Sequence, residues 1–477
     1  MTTAAQTGMT TFPFDPDSAT PYYRQIYDGY RGAILSGRLR PGERLPSSRA
    51  VAMELGISRL PVVNAFEQLL HEGYVEGRVG SGTFVKESIP DELAEAARPR
   101  NPLPPRKSVA PPAPAQLGPL RVSLPALDRF PLRLWTRLVT KHTKQLTVEQ
   151  MAYGDPAGYA PLRAAIADYL RTARSVRCEA DQVLIVSGSQ MALQVCALAL
   201  LGRGTAVCIE EPGYPGARDA LQRGGAQLVP VPVDDEGIDV NALAAKGKRV
   251  RAVYVTPSHQ YPLGISMTVS RRLALLDWAR RTRSWILEDD YDSEYRYASR
   301  PLGALQGIDT ASRVIYIGTF SKVLFPSLRI GYLVVPRELR DECIRHRESI
   351  DLFSPTLEQI VLTEFLAEGH FGRHLRRMRA LYHARRDALV RGLREHVPQL
   401  TPHNIDAGLH VSAFLPDGID DREVVREGAK RGLDMTALST CYAGKQPRSG
   451  LVLGFGGASE RRIKVACRAL GEVLRGS

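Results

Sequence analysis

A lysine and an arginine seven positions apart, Lys322 and Arg329, are the residues with the clearest capacity for chemistry. Lys322 follows the apolar run at residues 314–318 in a short polar turn, and Arg329 precedes a second apolar run that begins at Ile330. A buried ammonium group is costly unless it is paired or neutralised, and desolvation lowers the pKa of a lysine. Such an amine suits a Schiff base with a carbonyl, and a nearby arginine suits a phosphate. The pair suggests pyridoxal 5'-phosphate (PLP), and a surface turn with ordinary charges is the alternative.

Small polar side chains also stand where an apolar strand gives way to a helix, at Ser189 and Gln190. Backbone N–H groups at a helix N-terminus bind anions, and Gly188 lets a ligand approach closely. Alone, such a turn is more often only a turn. Together with Ser321 and Arg329, it predicts a phosphate site.

Other strand ends offer groups for a planar ring. Tyr214 follows one strand, where its ring can stack on a cofactor. Three successive acids at residues 288–290 end another strand, and a carboxylate such as Asp289 can keep a pyridine nitrogen protonated. Tyr291 comes next and can reach a phenolic oxygen. A solvated acidic edge is the alternative, less favoured because unpaired buried carboxylates are costly.

The elements that position these residues alternate between helical patterns and short apolar strands from about residue 120 onward. Such alternation predicts a mostly parallel sheet with helices on both faces. After residue 351 the pattern changes to long basic helices and then to a short α/β portion. We therefore expect a large α/β domain followed by a smaller C-terminal α/β domain.

The N-terminal part predicts a winged helix-turn-helix: a helix at residues 21–36, a second capped by Ser47, a third from Arg59 to about residue 72, and a glycine-rich hairpin at residues 73–85. The first residues of the third helix would reach base edges in the major groove. The candidate DNA contacts are Ser47, Arg49, Arg59, Asn64 and Arg78, with Arg49 and Arg78 directed at the DNA backbone. A small helical module with solvated charges is the alternative.

Chain length and net charge limit the number of domains and the kinds of partner that we expect. The 477 residues allow about three domains. The net charge of +12 hints at a polyanionic partner, but residues 1–86 hold nine basic against eight acidic side chains, so the DNA argument depends on the motif. Eight prolines punctuate a predicted linker at residues 87–118, between a DNA-binding domain at residues 1–86 and an effector domain at residues 119–477.

No apolar run is long enough for a membrane span, and the N-terminus has no secretory pattern. Six scattered cysteines form no CxxC pair, so we expect no metal site and no disulfide framework. These features predict a cytoplasmic protein.

Longer motifs carry a resemblance to a known family. The stretch RLRPGERLPSSRAVAMELGISR resembles the GntR-type winged helix, except that Leu60 and Pro61 stand where small polar residues are usual. The segments YGDPAGYAPLR, VTPSHQYPLGISM, LEDDYDSEY and GTFSKVLFPSLRIGY resemble fold type I aminotransferases. The whole chain thus resembles the MocR/GabR subfamily of transcriptional regulators.

The resemblance implies a homodimer that binds operator DNA and PLP. It makes Lys322 the Schiff-base lysine, Asp289 the partner of the pyridine nitrogen and Tyr291 the partner of the phenolic oxygen. Tyr214 matches the stacking position, and the predicted phosphate residues match the phosphate site. His259 and Tyr261 become pocket residues, since Tyr261 opens a segment that replaces the Asn-Pro-x-Gly signature of aminotransferases.

One departure from the family pattern concerns the arginine that clamps the substrate carboxylate. Its position falls on Gly456 or Gly457, and Arg448 is a nearby substitute. Without a bidentate clamp, transamination of ordinary amino acids is not expected beyond a residual half-reaction. We therefore predict a regulator, not an enzyme, that senses PLP, as PdxR-type members do, or a small amine or amino acid. The alternatives are a metabolic aminotransferase with a vestigial DNA-binding domain, and a DNA-binding protein whose large domain only dimerises.

Overall fold

A computed structural model describes residues 12–78, 80–88, 117–247, 250–297, 303–444 and 448–475. The chain divides into two compact units, residues 1–113 and residues 114–477, and each is described by itself. Most of the predicted linker, residues 89–116, lies outside the described residues. Among the helices of the described ranges, none is long and apolar enough to cross a membrane.

The N-terminal unit is a winged helix-turn-helix, as predicted. Its elements are α1 (Tyr22–Leu35), α2 (Ser48–Leu55), α3 (Arg59–His71), β1 (Val75–Arg78) and β2 (Gly82–Val85). Ser47 caps α2 by accepting a hydrogen bond from the Ala50 N–H at 3.2 Å, and Gly56 ends that helix with φ of 67°. The core buries one face of each helix, including Ile26, Tyr30, Val51, Val62, Phe66 and Leu69.

The large unit is built on an eight-stranded sheet in the order β3-β10-β9-β8-β7-β4-β5-β6. The strands are β3 (Val183–Val186), β4 (Ala206–Glu211), β5 (Gln227–Asp234), β6 (Gly237–Ile238), β7 (Val250–Val255), β8 (Trp285–Asp290), β9 (Val314–Thr319) and β10 (Gly331–Val334). The central strands β5, β4, β7, β8 and β9 run parallel, whereas β10 is antiparallel to both β3 and β9. The sheet is therefore mixed, with the predicted parallel portion at its centre.

Helices cover both faces of this sheet, because its strands are apolar on both sides. They are α4 (Leu132–Thr143), α5 (Val148–Met151), α6 (Ala160–Arg174), α7 (Ser189–Leu200), α8 (Pro215–Arg223), α9 (Val240–Ala245), α10 (Val269–Thr282), α11 (Arg340–Asp351) and α12 (Thr356–Ala367).

The C-terminal portion follows the long helix α13 (His370–His396). It contains a four-stranded antiparallel sheet in the order β11-β12-β14-β13, made of β11 (Thr401–His403), β12 (His410–Phe414), β13 (Thr436–Ala437) and β14 (Gly450–Gly454). The helices α14 (Asp421–Lys430) and α15 (Glu460–Arg475) complete it. This is the smaller α/β portion that the sequence predicts.

Candidate functional site

A cavity of about 360 Å³ opens at the carboxyl ends of β4, β7, β8 and β9. Parallel strands bring their carboxyl ends to one edge of a sheet, so the residues that follow them converge there. Nine of the ten residues predicted to bind the cofactor line the cavity: Ser189, Gln190, Tyr214, Tyr261, Asp289, Tyr291, Ser321, Lys322 and Arg329. The tenth, His259, is buried and does not line it.

One end of the cavity is suited to an anion. Gly188 has φ of 85° and precedes α7, so the first N–H groups of that helix lie at the cavity wall. The Arg329 guanidinium donates to the Ser187 carbonyl, and a Cβ added at Gly188 would lie 3.1 Å from its Nη1. Ser321, on the turn after β9, lines the same cavity. A glycine, a helix N-terminus, a hydroxyl and a guanidinium together form a cradle for a phosphate.

Aromatic rings form another wall. The rings of Tyr214 and Tyr261 meet edge to face, with their centroids 5.6 Å apart. Gln190 Nε2 donates to the Tyr214 hydroxyl at 3.4 Å, which orients that ring, and burial raises the pKa of Tyr214. Neutral aromatic walls of this kind suit a planar heterocycle.

The three successive acids of β8 have three different surroundings. Glu288 accepts hydrogen bonds from two backbone N–H groups at 2.7 and 2.8 Å. Asp290 pairs with the buried Arg174 at 2.7 Å and accepts from the Tyr316 hydroxyl at 2.6 Å. Only Asp289 lines the cavity. The acidic run is therefore one ligand-facing carboxylate between two structural ones, because successive side chains of a strand point to opposite faces.

Asp289 has one free acceptor atom. Its Oδ2 accepts from the Tyr254 hydroxyl at 2.7 Å, and its Oδ1 is buried with no hydrogen-bond partner within the described ranges. Burial raises the pKa of Asp289 to about 7, against the lowering effects of Tyr254 and Lys322. A buried carboxylate that lacks one partner fits a ligand that brings a protonated ring nitrogen. PLP is such a ligand, so the residues present fit the predicted cofactor.

Lys322 lies on the cavity wall in the turn after β9. Burial lowers the pKa of its amine, while the carboxylates of Asp292 and Asp289 act in the opposite direction. A lowered pKa increases the neutral fraction of the amine, which is the form that attacks a carbonyl. The turn therefore presents an amine with a lowered pKa to the cavity.

Behind the cavity wall, His259 joins Tyr291 to Asp292. The Tyr291 hydroxyl donates to the His259 carbonyl at 2.9 Å and lies 3.0 Å from its Nδ1. The same Nδ1 lies 3.1 and 3.2 Å from the two oxygens of Asp292. His259 thus supports a cavity residue from behind and does not contact the cavity itself.

Several residues that line the cavity were not predicted. Tyr254 and Thr256 stand at the end of β7, beside β8, so the convergence of parallel strand ends would have located them. Val122 and Ser123 precede the first helix of this unit, and Thr436 comes from the C-terminal sheet. No strand-end rule indicates residues that reach the cavity from such distant parts of the chain.

The glycines at the expected arginine position are covered by Leu124. A Cβ added at Gly456 would lie 2.5 Å from the Leu124 carbonyl oxygen, and one added at Gly457 would lie 2.6 Å from its Cδ2. Arg448 packs on the Phe414 ring at 3.6 Å and does not line the cavity. The cationic side chains on the cavity wall, within the described residues, are the lysine and arginine of the turn after β9.

In the N-terminal unit the predicted DNA contacts Ser47, Arg49, Arg59, Asn64 and Arg78 are all exposed. Arg59 donates to Ser48 Oγ at 3.0 Å, which holds it at the start of α3. Arg78 pairs with Glu76 at 2.8 Å and lies over the Phe84 ring at 4.6 Å. Arg44 is also exposed and forms a β-bridge with Phe84. It is not among the predicted DNA contacts.

Comparisons with known proteins match this architecture. Residues 134–416 match the family model for aminotransferase class I and II, and residues 22–85 match that for bacterial regulatory proteins of the gntR family. MocR of Rhizobium meliloti, named for the regulation of rhizopine catabolism, is 38% identical over 96% of this chain and 94% of its own. This chain belongs to the MocR/GabR-type regulators.

A second regulator of the MocR/GabR type with nearly the same extent is the pyridoxine biosynthesis transcriptional regulator PdxR of Corynebacterium glutamicum. It is 32% identical over 94% of this chain and 95% of its own. Among solved structures, the kynurenine aminotransferase of Pyrococcus horikoshii is 29% identical with a TM-score of 0.70, covering 75% of this chain and 90% of that one. The α-aminoadipate aminotransferase LysN of Thermus thermophilus is 28% identical with the same TM-score, covering 75% and 92%. The large domain is therefore a PLP-binding domain of the fold type I aminotransferase kind.

Proposed function

We propose that this protein is a transcriptional regulator that binds PLP through Lys322 and responds to PLP, or to a small amine, by changing its affinity for operator DNA. One observation carries the proposal: the same chain contains a winged helix with an exposed third helix and a cavity lined by both a lysine and a phosphate cradle. When bound, PLP supplies an aldehyde that condenses with a primary amine and a ring that withdraws electrons. Coupling between the two sites is then a difference in cofactor affinity between DNA-bound and free protein.

Each cavity residue has a proposed role. Lys322 holds the cofactor covalently, and Asp289 accepts a hydrogen bond from the pyridine nitrogen at its unpartnered Oδ1. Tyr214 and Tyr261 flank the ring, and Tyr291 binds the phenolic oxygen. Ser189, Gln190, Ser321 and Arg329 hold the phosphate.

The glycines at the expected arginine position favour a regulator over an amino-acid transaminase. Leu124 fills the space in front of Gly457, where a side chain would have to pass. A bidentate arginine contact gives carboxylate recognition much of its strength and geometry. An effector without a carboxylate, or PLP itself, is therefore more consistent with this chain than an ordinary amino acid. The name of PdxR, a regulator of pyridoxine biosynthesis, is consistent with PLP as the effector.

We further propose that the protein is a homodimer. Large apolar side chains at Val148, Met151 and Tyr153 are 74%, 66% and 85% exposed, within six residues of one another. Isolated exposed apolar residues are common, but a group of this kind is typical of a protein interface. Sedimentation of the full chain should give twice the monomer mass of 52.5 kDa.

The test is a titration of the apo protein with PLP, followed by small amines, with visible absorbance and operator affinity measured together. The DNA probe is the region upstream of the protein's own gene. PLP should produce visible absorbance that disappears in Lys322→Ala and persists in a matched variant of an exposed lysine, Lys144→Ala. If PLP alone changes DNA affinity, PLP is the effector. If only an added amine changes it, the amine is the effector.

An enzymatic role would appear as steady-state turnover with amino donors and oxo-acid acceptors. Robust multiple turnover without operator binding would overturn the proposal in favour of a metabolic aminotransferase. Absence of absorbance in the wild-type protein would instead favour a large domain that only dimerises.

A further inference from the structure

The buried pair His259 and Asp292 has no assigned role in the proposed function. Their side chains are both about 1% exposed, and His259 Nδ1 lies 3.1 Å from Asp292 Oδ1. His259 Nε2 is buried with no hydrogen-bond partner within the described ranges. A buried N–H without a partner is more costly than an unpaired acceptor on a neutral ring, so the proton of this imidazole is on Nδ1.

That one N–H has two acceptors within reach. Besides Asp292, the Tyr291 oxygen lies 3.0 Å from Nδ1. In the present arrangement the Tyr291 O–H donates to the His259 carbonyl at 2.9 Å. A hydroxyl has one proton to donate, so Tyr291 can donate into the cavity only if it releases this carbonyl.

We propose that His259 and Asp292 are positioning residues for Tyr291, an inference that rests on the proposed function. When PLP is bound, the Nδ1–H of His259 turns from the Asp292 carboxylate to the Tyr291 oxygen. Tyr291 then accepts from His259 and donates its own proton toward the phenolic oxygen of the cofactor. The pair thereby sets the strength of that hydrogen bond and the pH at which the lysine-linked cofactor changes charge.

The charges around the pair give the direction of this effect. A stronger donor at the phenolic oxygen stabilises its negative charge, which lowers the pH midpoint of the lysine-linked cofactor. The Asp292 carboxylate acts in the opposite direction, because it favours the cation at Lys322. Among the described residues, the other titratable groups near Tyr291 or the His259 ring include His410, whose ring centroid lies 4.9 Å from that of His259, and Tyr261, Asp289 and Glu210.

Burial keeps several of these neighbours neutral. It lowers the pKa of His410 to about 4, so that ring is uncharged where the midpoint is measured. It also raises the pKa of Tyr261 and Tyr291 far above neutrality. Glu210 and Asp289, with pKa values raised to about 7, are present equally in all the variants below and do not change their comparison.

A bound metal ion is the competing explanation for this cluster. His259, Asp292 and His410 have potential ligand atoms within 4.8 Å of one another. However, His410 Nε2 already lies 3.0 Å from the Pro262 carbonyl oxygen, and Asp292 Oδ2 accepts from the Leu409 N–H at 3.1 Å. These hydrogen bonds to the backbone already occupy one nitrogen of His410 and one oxygen of Asp292. They favour a hydrogen-bonded His259–Asp292 pair over a metal site.

The experiment is a spectrophotometric pH titration of the PLP-loaded protein, with the PLP dissociation constant measured for each variant. His259→Ala keeps the backbone carbonyl, so Tyr291 continues to donate to it. We expect the midpoint to rise by about one pH unit, a tenfold change in proton affinity, and PLP to bind about tenfold more weakly. His259→Asn restores an N–H near the Nδ1 position and should recover most of both losses. Asp292→Asn should lower the midpoint instead, since it removes a negative charge near the lysine.

The decisive comparison is the effect of His259→Ala in a protein that already carries Tyr291→Phe. If the histidine acts through Tyr291, adding His259→Ala to Tyr291→Phe should produce little further rise. An equal additional rise, or midpoints that stay constant in all variants, would overturn the proposal. So would a stoichiometric metal ion retained after dialysis.

Thermal melting of each apo variant shows whether it folds. Should His259→Ala not fold, His259→Gln, whose amide replaces Nε2 and not Nδ1, still decides the question: it should raise the midpoint, whereas His259→Asn should not. Failure of the wild-type protein to develop visible absorbance with PLP would overturn the proposed function rather than this inference.

Discussion

The two units of the chain place the same side-chain types in opposite surroundings. In the winged helix, Arg59 and Arg78 are exposed and contact neighbouring side chains of the same unit. In the large unit, Arg174 and Asp290 are almost fully buried and pair with each other at 2.7 Å. Exposed charges are screened by salt, whereas buried charges are held by particular partners and have shifted pKa values.

This difference separates two ways of binding a phosphate-containing ligand. The N-terminal unit meets a polyanion with accessible arginines, so its binding should depend strongly on ionic strength. The cavity of the large unit offers a small ligand a helix N-terminus, one guanidinium and the unpartnered Oδ1 of Asp289. Ligand binding there should depend more on pH than on salt. The following predictions test this contrast, from the largest expected effect to the smallest.

Asp289→Asn should weaken PLP binding about 100-fold, because the amide cannot favour a protonated pyridine nitrogen as a carboxylate does. Fluorescence or absorbance titration of the apo protein measures the loss. DNA affinity of the apo protein should not change. Glu288→Gln, on the same strand but away from the cavity, is the matched control, and an equal loss of PLP affinity there would contradict the separation of the three acids.

The same Asp289→Asn variant should stabilise the apo protein at alkaline pH. The pKa of Asp289 is about 7 in the folded protein against an ordinary value of 3.8, so between these values only the unfolded chain releases the proton. Ionisation therefore favours unfolding as pH rises, and the penalty becomes constant only above about pH 8, where Asp289 is ionised in both states. We expect a gain on the order of 4 kcal/mol in the free energy of unfolding at pH 8 and none near pH 3. Chemical denaturation at both pH values measures it, and an equal gain at both would contradict the assignment.

Arg59→Ala should reduce operator affinity about tenfold to 100-fold, because this residue begins the predicted recognition helix and is exposed. PLP absorbance should be unchanged. Arg24→Ala, an exposed arginine paired with Asp28 on α1, is the control and should have little effect. Fluorescence anisotropy with operator and random DNA distinguishes loss of sequence reading from loss of general affinity.

Leu60 is 66% exposed in the first turn of α3, next to Arg59. An apolar side chain at this point of a recognition helix suits the methyl group of thymine. Leu60→Ser should therefore lower operator affinity about fivefold, at a cost of roughly 1 kcal/mol. Replacing single thymines by uracil in the operator should reduce wild-type binding at one position and leave the variant unaffected there. Equal sensitivity of both proteins at all positions would contradict this contact.

Arg78→Ala should have the smallest effect, a loss of a few-fold in affinity for all DNA sequences. Its guanidinium lies on the hairpin of β1 and β2, between Glu76 and the Phe84 ring. We therefore expect it to contact a DNA phosphate and not a base. The slope of affinity against salt concentration should fall by about one. A changed order of preference among operator variants would instead make Arg78 a base contact.

Most of the fold follows from local patterns. Helical spacing, the Ser47 cap and glycines such as Gly56 define the winged helix, because capping and left-handed turns depend on neighbouring residues alone. The strand β10 was harder to place, since an apolar run looks the same whether it pairs parallel or antiparallel. Its reversed direction depends on the short connection from β9, which returns the chain beside the strand it has just left.

The sequence predicts those cavity residues that stand at or just after the end of a strand. Lys322, Tyr214 and Asp289 stand directly after or at the ends of strands, and the convergence of those ends brings them together. Ser123 and Thr436 reach the cavity from segments more than 300 residues apart, which local spacing cannot indicate.

The sequence by itself therefore predicted a Schiff-base lysine, the parts of a phosphate cradle and a winged helix in one chain, because each turn, cap and strand end is encoded by neighbouring residues. Only the tertiary structure showed that Glu288 and Asp290 are held by partners away from the cavity, that Leu124 covers Gly456 and Gly457, and that His259 supports Tyr291 from behind. The physical reason is burial: desolvation and partnership set what a charged or polar side chain can do, and both depend on segments that are remote in the chain.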